Sequence, residues 1–576
     1  LLSWLPGADQ KTTADIYNAL GTIGSAKSLK VLGDAAKKVG YDDDPTGATD
    51  SYLQLLNNTG DAKVVNAASK AFTKVTKPGY RAAGLRLLVK NAGDKLPAVV
   101  LNALKDKDIQ YRNTALDFAK QYAGEGIFNT VASKFKSLSP EAQTDVVSWL
   151  GNNKKKDLID VVVSAIPSSN DNLSKAAMAA ASRIGGEKAL AAIAGQLGGK
   201  NADAAKDALL SFNGNINSGI LPLLASSDAN TVKTALNLAS TRRMTDAYSK
   251  VVELTKSSDA SIKDAAFDAL KGVVAPSNFN DVCSMLESSN GATTNKLQEA
   301  AKNAIHNFAA ADQFKNISAR LQGASNPSVY YPLLAQAGNS ESIAKLVSEY
   351  KNGSQKDAAF KSLLKVDNDE MIDILYDMAK SDASQKDAII NRYLALAKGA
   401  KVNDINKYQL FNKALDLNPS DKVKSNLVSA LGDTKTLPAL MLMDKYLANN
   451  ATSAAAADAV KLIVSKNESL QNGATAKNLL TKAQEVYKAQ KAGGNADAGY
   501  AVDEITGILA KMGANGYKAV PATSGKTVTV AENYSIKHTE NYDILTELLE
   551  DKSINEIMIN SYDEIFIDEK GKCTYN

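Results

Sequence analysis

Three windows of the chain share one pattern. Residues 226–239 read SSDANTVKTALNLA, residues 257–270 read SSDASIKDAAFDAL, and residues 381–394 read SDASQKDAIINRYL. Each holds a Ser-Asp turn, a basic residue one turn later, and then an Ala-rich apolar face. Asp228 and Asp259 stand 31 positions apart. An earlier copy, DKDIQYRNTALDFA, carries Asp108 and Arg112, and Asp108 precedes Asp228 by 120 positions, four units of about 30 residues. This self-similarity constrains the fold more than composition does. One such unit cannot bury its apolar face alone, whereas a stack of units can.

The physics of a unit is readable in LPAVVLNAL, Leu96 to Leu104, an amphipathic helix ended by KDKD, Lys105 to Asp108. A second helix follows in YRNTALDFAKQYA, Tyr111 to Ala123. Gly124 is placed to end it, because glycine accepts the left-handed cap conformation. Asp108 is placed to cap its free N–H groups. Ala115 and Ala119 share a face, where small side chains let two helices approach closely. The same two-helix beat predicts eleven further units, 127–151, 157–185, 189–213, 217–243, 247–274, 279–311, 313–338, 343–366, 371–399, 408–432 and 438–466. Gly151, Gly185-Gly186, Gly214, Gly338 and Gly432 read as punctuation at the joints, and SSNGATTN reads as an extra loop within 279–311.

The Asp-x-x-x-(Arg/Lys)-x-x-Ala pattern stands at Asp108/Arg112/Ala115, at Asp259/Lys263/Ala266 and, with Ile389 in place of Ala, at Asp382/Lys386. On these residues the chain resembles the HEAT-repeat family over roughly 85–470. The signatures of ankyrin and tetratricopeptide repeats are not apparent. The resemblance implies an all-α fold, a right-handed α-α superhelix of HEAT-like solenoid type, with a small α+β C-terminal appendage. The expected domains are a helical cap or irregular repeats at 1–90, the array at 91–513, a linker at 514–534 and a short α/β segment at 535–576. DDDPTGATD, Asp42 to Asp50, is read as a loop separating two helices of the cap. The wording of 1–520 also resembles the HEAT-rich N-terminal part of secreted Bacteroidetes proteins. Those often continue into a 3-keto-disaccharide hydrolase-like domain, which does not follow here.

Composition narrows the function classes. The chain has 576 residues and a formal net charge of +4. That is no electrostatic footprint for nucleic acid or an anionic membrane. From Glu540 to Asn576 there are ten acidic and three basic residues, so the remaining chain carries a thinly spread +11. Aromatics are only 6%, which suits closely packed helices. No apolar run approaches the roughly 18 residues of a membrane span. A disulfide between the two cysteines, Cys283 and Cys573, is not expected. The opening Leu-Leu-Ser-Trp reads as a fragment or a processed product.

Several tempting motifs are weak. ATSGKT, Ala522 to Thr527, resembles the end of a phosphate-binding loop, but Val520 stands where the first Gly belongs. His306 and His538, the only histidines, have no ligand cluster around them, and Trp149 reads as helix core. Lys154-Lys155-Lys156 and Arg242-Arg243 read as solvated joint charges. The alternative is a phosphate-contacting ridge as in HEAT-like DNA glycosylases. The sequence therefore nominates no catalytic, cofactor-binding or metal-ligating residue and no cofactor.

The tail has a different character. YDILTELLED, Tyr542 to Asp551, reads as an amphipathic helix. NEIMIN, Asn555 to Asn560, and EIFIDE, Glu564 to Glu569, read as strands, with EKGK a turn into a third. This order resembles the N-terminal portion of CpaF-like secretion ATPases, at Ile554, Glu556 to Asn560, Ile565 to Ile567 and Gly571. Ser561 departs from that family's usual Gly. The family's catalytic machinery would lie beyond this stretch. The leading expectation is a non-catalytic scaffold for protein–protein interaction or for positioning an attached domain, with a protein partner and no nucleic acid. The alternatives are an accessory arm of a truncated enzyme, either secretion ATPase or 3-keto-disaccharide hydrolase-like, and a HEAT-type nucleic-acid-binding protein. The upstream resemblance implies a periplasmic or secreted protein, the C-terminal one a cytoplasmic protein.

Overall fold

Asp caps start the repeating helices. In the computed structural model, which describes residues 1–471, 473–514, 554–561, 564–569 and 572–575, Asp108 accepts from the Gln110 amide at the start of the helix Ile109–Ala123. Asp228 caps Ala229–Thr241 through Thr231, and Asp259 caps Ala260–Val273 through Ser261 and Ile262. Each satisfies backbone donors that a helix start leaves free. Asp382 differs. It accepts from the amides of Ser384 and Gln385, and its helix, Lys386–Gly399, begins only after that turn.

The described residues hold thirty-one α-helices, and the paired rhythm expected from 127 to 466 is the one observed. The unit 127–151 is Gly126–Ser133 followed by Pro140–Asn152, and the unit 438–466 is Leu437–Leu447 followed by Ser453–Lys466. The unit 279–311 is Phe279–Glu287 followed by Gly291–His306. Here the expected SSNGATTN loop is corrected. Only Ser288–Asn290 lies between the helices, and GATTN lengthens the second helix by a turn. The DDDPTGATD loop is likewise shorter than expected, because Ala48, Thr49 and Asp50 already belong to the helix Ala48–Asn58.

The chain divides into two compact units, Leu1–Asn307 and Phe308–Asn576. Within the first, the second helices of successive pairs lie side by side in one row, from Gln10–Ile23 to Gly291–His306, and the first helices pack against them as a second layer. Within the second, Lys386–Gly399, Asp421–Asp433 and Ser453–Lys466 continue such a row, and Ala474–Ala492 and Ala498–Ala514 form a closing pair. The helices of each unit form an all-α solenoid stack of HEAT-like pairs. Separately, β1 (Ile554–Ser561), β2 (Glu564–Glu569) and β3 (Lys572–Tyr575) form an antiparallel sheet in the order β1-β2-β3, with Ile557 opposite Ile567 and Asp568 opposite Cys573. These three strands fall where the sequence pattern placed them. The expected linker beyond Ala514, the ATSGKT motif and the Tyr542–Asp551 helix lie outside the described residues.

Small residues set the spacing of the row. A Cβ on Gly151 would sit 2.6 Å from Ala180 of the next second helix, and one on Gly432 would sit 2.9 Å from Ala459. A Cβ on Gly272 would collide with the Ser240 carbonyl. Gly151 and Gly432 are therefore not joint punctuation, as their letters led one to expect. They are the penultimate residues of the helices Pro140–Asn152 and Asp421–Asp433, without positive φ, where the neighbouring helix leaves no room for a side chain. Gly185, Gly186, Gly214 and Gly338 do stand at joints with positive φ.

Polar groups repeat the same period across the joints. Arg242 donates to the carbonyls of Leu210 (3.0 Å), Phe212 (3.1 Å) and Gly214 (2.6 Å) at the preceding joint. The amides of Asn303, Asn368 and Asn467 donate to the carbonyls of Lys271, Gly338 and Lys435, at sequence separations of 32, 30 and 32. Leu210 and Lys271 are among the last residues of their helices, whose carbonyls have no partner within the helix, and Phe212, Gly214, Gly338 and Lys435 stand in the joints just beyond, so these side chains tie one repeat to the next. The reading of Arg242 as a solvated charge is thereby corrected, and Lys155 is also engaged, pairing with Glu125 and lying 4.0 Å from the Phe128 ring centre.

Gly272→Val should destabilise the first unit by about 1–3 kcal/mol or more, because an overpacked contact forces backbone to move. A lower urea midpoint, with new protease cleavage between Ala229 and Val273, is the expected outcome; wild-type resistance would contradict it. In the second unit the Tyr350 hydroxyl donates to Asp382 across 32 positions. Burial first, and then that carboxylate, push the Tyr350 phenol up to about 12. The folded state therefore holds this proton after the unfolded chain, near 10, has released it. The stabilisation is complete below about pH 10 and is lost as pH rises towards 12. Tyr350→Phe should remove one late-titrating phenol from the tyrosinate absorbance curve and soften the alkaline loss of stability.

Candidate functional site

Several buried ionisable side chains pair across neighbouring repeats, whereas the Tyr393 phenol, pushed well above the tyrosine range by burial, donates instead to the Leu410 carbonyl at 2.9 Å. Arg112 and Asp145 form a buried ion pair between the helices Ile109–Ala123 and Pro140–Asn152, both nearly inaccessible at 5% and 4% exposure. Arg112 also donates to the carbonyls of Asp106 (2.9 Å) and Lys107 (3.1 Å). Burial pushes Asp145 up, and Arg112 pulls against it. Tyr248 donates to Asp281 at 2.5 Å and Tyr487 donates to Asp458, at separations of 33 and 29. Burial, then the acceptor carboxylate, raises both phenols well above the ordinary tyrosine range. Each pair joins one repeat to its neighbour.

The residues weighed in the sequence are not brought together. Trp149 is buried and stacked on Phe128 with ring centres 4.1 Å apart, so its core assignment is observed. His306 ends its helix exposed to solvent, and Cys283 is buried in Phe279–Glu287. His538 lies outside the described residues. Lys154 and Arg243 both take positive φ after their helices, 51° and 52°. Among the described residues no group of three or more His, Cys, Asp or Glu is placed to hold a metal ion, and no helix is long and apolar enough to cross a membrane.

One groove in the first unit is built from residues that sequence reasoning passed over. It has a volume of about 770 Å³ and lies between the short 3-10 helix Lys70–Lys74, the helix Pro78–Lys90 and the helix Leu96–Ala103. Leu85, Leu88, Ala103 and Tyr111 form a buried floor, and Val99 is half-buried beside them. Lys70 and Lys74 stand on one wall and Lys95 on the other, all three exposed. Arg81 fixes this arrangement. Its Nε donates to the Thr73 carbonyl at 3.1 Å, its guanidinium pairs with Asp106 and, at 3.3 Å, with Asp108, and it lies 3.9 Å over the Tyr111 ring.

Asp106 is the one acidic residue lining the groove. Burial works to raise its carboxyl, but the Asp108 amide and Arg81 outweigh burial and hold it below the usual carboxylate range. The only sequence signal for the groove was the i, i+4 spacing of Lys70 and Lys74. Its opposite wall comes from more than twenty residues further on.

No family model matches the sequence, and no curated protein matches it. Among solved structures the chain is similar to a crystal structure of Kap121p at 10% identity, over 87% of this chain and 70% of that one, with a TM-score of 0.37. A structure of Kap95p with RanGDP matches at 11% identity, over 88% of this chain and 80% of that one, with a TM-score of 0.38. Likeness at this level ties the chain to no family and lends it no partner.

Arg81→Ala should remove the clamp and destabilise the first unit by about 1–3 kcal/mol, because Asp106 and the Thr73 carbonyl lose their donor. A depressed carboxyl stabilises the fold above its unfolded pKa, and that stability is lost as pH falls. The variant should therefore lose less stability on acidification than wild type. Equal acid sensitivity of the two would show that Arg81 does not hold Asp106 ionised.

Proposed function

We propose that the chain is a non-catalytic scaffold that binds protein partners or positions an attached domain. The supporting observation is where the perturbed ionisable groups lie. In enzymes such groups converge on a cleft. Here Arg112–Asp145, Tyr248–Asp281, Tyr350–Asp382 and Tyr487–Asp458 are spent on joining consecutive repeats, and the two perturbed groups that line the groove, Asp106 and Tyr111, are both occupied by Arg81. Stacked helix pairs present an extended surface of groove and ridge, suited to a partner that runs along several repeats. In this reading residues 1–90 cap the array, 91–513 form it, 514–534 link it and 535–576 are appended to it.

A second reading makes the array an accessory arm of a larger enzyme. The antiparallel sheet β1-β2-β3 favours it, since these strands lie on the residues that resemble the secretion-ATPase front domain. Sequencing the parent gene through both ends decides between the readings, and a reading frame continuing into an ATPase or hydrolase domain supports the second.

For the scaffold, lysine-directed cross-linking of the full chain in extracts of its source cells should join defined protein partners to array lysines. Absence of any cross-linked protein, or retention on DNA at low salt that fades as salt rises, would contradict the scaffold reading.

A further inference from the structure

We propose that the groove between Lys70–Lys74 and Leu96–Ala103 is the docking site for an acidic protein segment bearing an apolar anchor side chain. The inference rests on the scaffold reading and names the chemistry of one partner. Charge complementarity is the first argument. Among the described residues none of Lys70, Lys74 and Lys95 takes part in an ion pair. Asp106, the one carboxylate of the lining, is already satisfied by Arg81 and the Asp108 amide. The rim therefore presents three uncompensated positive charges.

The floor supplies the second argument. Ala98 and the half-buried Val99 present the accessible apolar surface, over a buried layer of Leu85, Leu88 and Tyr111 that Arg81 on the Tyr111 ring keeps in place. An aliphatic or aromatic side chain seated there leaves water, and its flanking carboxylates reach lysines on both walls. Lysines are point charges on flexible stems, and here they sit apart on two walls with no planar fork between them. That suits several separated carboxylates along a chain better than one compact phosphate. A volume of about 770 Å³ accommodates more than a single side chain.

The test uses the full chain and a fluorescein-labelled peptide of Glu and Leu, read by anisotropy. Wild type should bind it, more weakly at about 300 mM than at about 50 mM salt. The combined K70E, K74E and K95E variant, with an unchanged circular dichroism melt, should bind at least about tenfold more weakly. V99D should weaken binding in the same way, and a peptide of Glu alone should compete poorly. Equal affinity of the triple variant, equal binding of a Lys and Leu peptide, or complete displacement by millimolar inorganic phosphate would each overturn the proposal. If the peptide fails while full-chain cross-linking still yields defined partners elsewhere on the array, this site falls and the scaffold reading stands. If cross-linking yields none, both fall.

Discussion

The close approach of neighbouring second helices is the contact on which the rest of each unit depends. At Gly151 against Ala180, Gly272 against Ser240 and Gly432 against Ala459 the backbones meet with nothing larger than an Ala or Ser side chain beside the glycine. Dispersion is strongest at such short separations, and a backbone contact has no rotamer through which to relax. The row of second helices therefore sets the repeat spacing. The first helices pack onto it with their larger side chains, Phe128 against Trp149 being one case.

That spacing explains the polar cross-links. Once second helices stand side by side, the end of one lies within reach of side chains about 30 positions away. Arg242, Asn303 and Asn467 use the reach to satisfy carbonyls at a helix end or in the joint just beyond it. Arg112 and Tyr487 use it to meet Asp145 and Asp458. Ionisable chemistry is thereby consumed in assembly, pair by pair. The lysine-rimmed groove is different, because its charges stay unspent after Arg81 has neutralised Asp106.

The repeat period and the caps were legible in the sequence because both are local. Asp108, Asp228 and Asp259 each lie within three residues of the amides they cap, so a short window contains the whole interaction. Gly151 and Gly432 were misread because a cap glycine and a close-approach glycine are the same letter, and only the partner helix tells them apart. Arg242 was misread for a related reason: its acceptors lie 28 to 32 positions earlier. SSNGATTN looked like a loop by composition, yet the helix whose Leu297, Ala301 and Ala304 pack into the core begins already at Gly291 and takes in GATTN. The groove was the least legible feature, since its walls come from separate stretches and its clamp, Arg81, carries no motif.

If the second-helix row bears the stack, its amides should be the slowest to exchange with solvent. Hydrogen exchange across the full chain, resolved to individual helices, measures this directly. The expected result is greatest protection in Pro140–Asn152, Asp171–Ile184, Ala229–Thr241 and Ala260–Val273, above that of the first helices Gly126–Ser133 and Tyr248–Leu254. Protection equal in both layers, or greater in the first helices, would contradict the account.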